Sequence, residues 1–71
     1  MKIYAIITVA RQVNGEFVVV KSEKAFTDKA KTETEYNQLI KKYTENIETP
    51  SGPVQCLCER AIFEMEVETD A

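Results

Sequence analysis

The chain carries more apolar strand than a single helix can cover. From Ile3 to Ala10 it reads Ile-Tyr-Ala-Ile-Ile-Thr-Val-Ala, with one polar residue, and from Phe17 to Val20 it reads Phe-Val-Val-Val. A sheet with one solvated face alternates apolar and polar side chains, and near-continuous apolar runs belong to strands covered on both sides. These runs call for a second cover, either another copy of the chain or a different protein. Length sharpens the point. At 71 residues the chain is read as a single domain over 1–71, and a domain of this size buries only about 60% of its unfolded surface. Small domains offset that shortfall with disulfides, a metal or oligomerisation.

Local signals place the elements. Asn14-Gly15 lies between two apolar runs and suits a type I′ hairpin turn, giving strands over about 2–11 and 16–24, with Gln12 and Val13 lengthening the loop. Asp28 and Thr32 are both good helix N-caps. Thr32 with Glu35 makes a capping box, and Tyr36, Leu39, Ile40, Tyr43 and Ile47 follow at helical spacing. The predicted helix spans about 32–46. Thr49-Pro50-Ser51-Gly52-Pro53 stops it. A closing strand runs over about 54–68. Its apolar phase changes near Glu59-Arg60, from Val54, Cys56 and Cys58 to Ala61, Phe63 and Met65, which predicts a β-bulge or a bend there.

The order strand, strand, helix, strand predicts an α+β fold of ββαβ topology. Its sheet has three antiparallel strands in the order 2-1-3, with the helix on one face. The other face stays open. Either Ile3, Ala5, Ile7 and Val9 or Tyr4, Ile6 and Ala10 line it, joined by Val18 and Val20 or by Phe17 and Val19. Tyr4, Ile6, Val18 and Val20 are the residues expected to bind a partner there. An apolar patch of several hundred Å² marks an interaction site.

Few residues point to chemistry. The chain has no histidine, which removes the commonest general base and the commonest zinc ligand. Cys56 and Cys58 lie one residue apart, so on a strand their Cα atoms sit roughly 7 Å apart, at the limit for a disulfide. They read as buried free thiols, which suits a reducing cytosol. A catalytic thiolate needs a positive environment, and only Arg60 is near in sequence. Two Cys-Leu-Cys pairs could build a zinc site across a dimer, but metal-binding pairs are normally spaced further apart, in a turn. No cofactor is expected, and the chain reads as non-enzymatic.

The net charge of −3 argues against nucleic acid as the partner. Glu64, Glu66 and Glu68 form a row of carboxylates along one side of the closing strand. Such a row blunts a sheet edge, or it presents an acidic strip to a basic partner. No apolar run reaches the length of a membrane span, and no signal-peptide core is present. The expectation is a protein of the cytoplasm, with no membrane partner.

The opening Met1-Lys2-Ile3-Tyr4, the segment Ala25-Phe26-Thr27-Asp28-Lys29-Ala30, the amphipathic helix and the closing Phe63-Glu64-Met65-Glu66-Val67-Glu68 together resemble small ββαβ accessory proteins of phages and prokaryotes. The resemblance covers most of the chain but specifies no activity, and Lys31 to Thr34 delays the helix relative to that pattern. It implies a small accessory protein, and some phage proteins of this size inhibit a host defence enzyme by binding it. Two readings follow. One is a protein-interaction module that forms a homodimer through its open sheet face. The other is an acidic inhibitor whose Glu64/Glu66/Glu68 strip enters a basic groove of a host defence or nucleic-acid enzyme.

Overall fold

A computed structural model describes residues 1–68. The elements run β1 (Lys2–Gln12), β2 (Val18–Phe26), α1 (Lys29–Asn37), β3 (Lys42–Thr49) and β4 (Gly52–Glu66). The sheet order is β2-β1-β4-β3, with every neighbouring pair antiparallel. The expected three-stranded ββαβ sheet of order 2-1-3 is therefore corrected to a four-stranded ββαββ sheet, curled into a half-barrel, with one short helix.

The added strand was hidden by an ambiguous spacing. Tyr43 and Ile47 lie four residues apart, which keeps two side chains on one face of a helix and equally on one face of a strand. Thr44, Ile47 and Thr49 are β-branched and favour the strand. The segment Thr49-Pro50-Ser51-Gly52 then acts as a hairpin turn rather than only a helix stop. Thr49 pairs with Gly52 and Ile47 with Val54, and Gly52 takes the positive φ of +107° that a side chain resists. With 42–49 committed to the sheet, the helix is shorter and earlier than 32–46. Its cap is Asp28, whose Oδ1 accepts from the Lys31 N–H at 3.2 Å. Thr32 lies in the first turn instead, buried, and donates to the Asp28 carbonyl at 2.8 Å.

The first hairpin also differs from expectation. Neither Asn14 nor Gly15 has a positive φ, so the turn is not type I′. Val13 to Phe17 form a longer loop, closed by the Gln12 N–H donating to Phe17 O at 2.8 Å. The bulge lies in β2, not β4. Register shifts between Ile6 and Ile7, which pair with Lys24 and Ser22 and leave Glu23 as the extra residue. Along β4 the ladder to β1 runs without a shift from Cys56 to Glu66. The phase change near Glu59-Arg60 has another cause: the first half of β4 supplies apolar residues to one face of the sheet, and the second half supplies them to the other.

Register sorts the side chains into two faces. The inner, concave face carries Tyr4, Ile6, Thr8 and Ala10 from β1, Cys56, Cys58, Arg60 and Ile62 from β4, and Tyr43 and Ile47 from β3. Helix α1 lies over one end of it, where Tyr36 Oη donates to Arg60 O at 3.0 Å and Lys31 Nζ sits 5.2 Å from the centre of the Phe26 ring. At the other end Ala10, Cys56 and Cys58 pack with Phe17, Tyr43, Ile47 and Val54. Both cysteines are free and buried.

Candidate functional site

The outer face is the candidate site. Pairing places Ile3, Ala5, Ile7 and Val9 of β1 between Val18 and Val20 of β2 and Leu57, Ala61, Phe63 and Met65 of β4, with Val9 opposite Val20 and Ala5 opposite Phe63. Among the described residues no element crosses this side. Val18, Val20, Leu57 and Phe63 are 55%, 60%, 44% and 51% exposed. Its charged residues on the central strands are one of each sign, Arg11 and Glu59, and they flank a shallow depression of about 130 Å³ lined by Val9, Leu57 and Ala61.

The shape of the molecule agrees with an uncovered face. Its extents are 45 × 30 × 14 Å, and its radius of gyration is 14.6 Å, against about 11 Å for a compact domain of this length. Its accessible surface is 5296 Å², against roughly 4,500 Å² for a compact protein of its mass. A slab this thin is essentially one layer, and domains are built from at least two.

The four residues expected to line the open face do not share it. Val18 and Val20 lie on the outer face. Tyr4 and Ile6 lie on the inner face, and Ile6 is 0% exposed beneath α1. Strand β1 offers both faces to apolar neighbours, so its own pattern does not say which set the helix takes. The hairpin pairing decides it. Val9 faces the same side as Val20, so Ile7 and Val9, not Tyr4 and Ile6, accompany the valines of β2.

The acidic strip is partly engaged by the chain's own cations. Glu64 meets Lys2 at 3.0 Å, and Glu66 meets the Met1 ammonium at 2.9 Å. The Lys2 hydrogen bond and charge hold the Glu64 carboxyl below its ordinary pKa. Glu68 follows the end of β4 and is exposed.

Arg60 is a residue the sequence reading passed over. Its Nε and Nη2 donate to the two oxygens of Glu23 at 2.7 and 3.1 Å, its Nη1 donates to Ile40 O at 2.6 Å, and its guanidinium lies 4.7 Å from the centre of the Tyr43 ring. Thr8 Oγ1 donates to the same Glu23 carboxylate at 2.8 Å. One side chain thereby ties β4 to β2 across β1 and fixes the entry to β3. The β2 bulge serves this arrangement by turning consecutive residues inward, Glu23 to Arg60 and Lys24 to Glu35 of the helix. The sequence signal was present: an arginine in phase with Cys56, Cys58 and Ile62 needs a carboxylate. The Arg60 hydrogen bond is the main cause of the lowered Glu23 pKa. Burial, followed by the charge of Glu45, pushes the Cys58 thiol up, opposite to what a nucleophilic thiolate needs.

Among the described residues no helix is long and apolar enough to cross a membrane. Compared with protein-family models, curated proteins and solved structures, the chain matches none.

Proposed function

We propose that this chain is a non-enzymatic interaction module that pairs with a second copy of itself through the outer sheet face. The observation that carries the reading is a single 14 Å layer whose outer side is apolar over β2, β1 and β4, with Val18, Val20, Leu57 and Phe63 exposed. A standard interface needs roughly 800 Å² from each partner, and a 45 × 30 Å slab has room for it. The face is also suited to itself. Arg11 and Glu59 sit on it as neighbours of opposite sign, so a two-fold axis running between them sets each against its opposite in the other copy. Two such layers stacked face to face make a β-sandwich with its sheets about 10 Å apart and the two helices on the outside. The acidic-inhibitor reading draws less support, because Glu64 and Glu66 already hold cations of their own chain.

Sedimentation equilibrium across a salt series tests whether the pairing is apolar. Apolar self-association should hold or strengthen as salt rises from about 0.1 to about 1 M, whereas exposed charge pairs are screened over that range. Dissociation at high salt would count against the apolar interface.

A further inference from the structure

The concave side carries a second feature, independent of the outer face. Beyond the reach of α1 the curl leaves a groove of about 270 Å³, lined by Thr8, Lys21, Tyr43, Glu45, Ile47 and Cys58. Its floor comes from the central strands, Thr8 from β1 and Cys58 from β4. Its rims are the two edge strands, with Lys21 on β2 and Glu45 on β3. Among the described residues neither rim charge has an ion pair, whereas Arg60 and Glu23, in the same groove, neutralise each other. The free charges of the groove are thus one cation and one anion on opposite banks. Both bear on the Cys58 thiol at the bottom: burial raises its pKa most, Glu45 raises it further, and Lys21 lowers it.

Lys21 lies level with Arg60 and Glu45 with Cys56, so three strand spacings, about 14 Å, and a four-residue offset along the strands, about 13 Å, separate them in a flat sheet. Curl and the two long side chains close part of that span. Both side chains line the same depression, whose walls include the Tyr43 ring and Ile47. A depression of this volume lies just below the range of typical small-ligand sites, which combine apolar walls with a few polar groups that fix orientation.

We propose that the groove binds a small zwitterion whose amine and carboxylate are separated by a chain of several methylenes. The carboxylate meets Lys21, the ammonium meets Glu45, and the methylenes lie against Tyr43 and Ile47.

The test is an amide NMR titration of the whole chain with ε-aminocaproate, using n-hexylamine and hexanoate as controls that carry one charge each. Saturable shifts are expected at Lys21, Tyr43, Glu45 and Cys58, with an affinity about tenfold better than for either control. Lys21→Met should erase the advantage over the amine, and Glu45→Gln the advantage over the acid. Both positions are exposed on edge strands, and the same spectra report whether the fold persists. An absence of saturable shifts in the groove, or equal response to all three compounds, overturns the proposal. Neither result depends on whether the outer face self-associates.

Discussion

The two faces of this sheet are made by alternate residues of the same strands, yet they end in opposite states. On the inner face Ile6, Cys56 and Cys58 are fully buried, roofed by α1 at one end and closed by Tyr43 and Ile47 of β3 at the other. On the outer face Val18, Val20, Leu57 and Phe63, no less apolar, stand open to solvent. Strand propensity does not separate them, since both faces are equally rich in β-branched and aromatic residues. Cover separates them. A four-stranded layer with one nine-residue helix has enough chain to roof half of one face, so the second apolar face is left for another molecule.

Mutations on the two faces should therefore fail in different ways. The largest effect is expected from Ile6→Ala, which opens a cavity under α1 and costs about 2–5 kcal/mol. A domain of this length has only roughly 4–10 kcal/mol of stability in total, so the denaturant midpoint should fall steeply. Val20→Ala on the outer face removes apolar surface that is already exposed within one chain. It should leave that midpoint nearly unchanged under dilute conditions, where self-association does not contribute.

The closure of the inner face can be weakened from its polar side. Arg60→Met leaves Glu23 and the Ile40 carbonyl without their charged donor and should cost about 2 kcal/mol in denaturation experiments. The same pair sets a pH dependence. The Glu23 carboxyl is held below its ordinary value of 4.5, so its stabilisation is complete above that pH and is lost as pH falls through the lower, folded-state value. Thermal melts should show an acid limb beginning below about pH 4.5, and Glu23→Gln should flatten it while lowering stability at neutral pH.

A smaller effect is expected at the β3–β4 turn. Gly52→Ala places a Cβ at φ +107°, costing about 1 kcal/mol or slightly more. The loss should appear in the denaturant midpoint without any change in self-association.

Much of this contrast was legible in the residues. The uninterrupted apolar run of β1 and the Val-rich β2 announce two apolar faces, and the closing strand lies antiparallel against β1. Other features were masked by physics that a single sequence does not resolve. The four-residue step from Tyr43 to Ile47 fits either period, and the polar residues between them read equally well as the wet side of a helix. Only the pairing of Ile47 with Val54 across Pro50-Ser51 distinguishes the strand. The face assignment of Tyr4 and Ile6 depended on register, which is set by the loop closed between Gln12 and Phe17. The apparent bulge at Glu59-Arg60 reflects apolar demand switching sides along a regular strand, and Leu57, which breaks the first-half alternation, belongs to the outer face. Arg60 itself was visible only as the neighbour of two cysteines, because its carboxylate partner lies 37 residues away.

The outer face is tested most directly by mass in solution, measured by size-exclusion with light scattering on the unaltered chain and on Val20→Glu across micromolar concentrations. Self-pairing gives the unaltered chain twice 8.1 kDa and returns Val20→Glu to the single mass with its amide spectrum still folded. An unaltered chain that stays at 8.1 kDa at every concentration, with the outer valines open to solvent, would contradict self-association through this face.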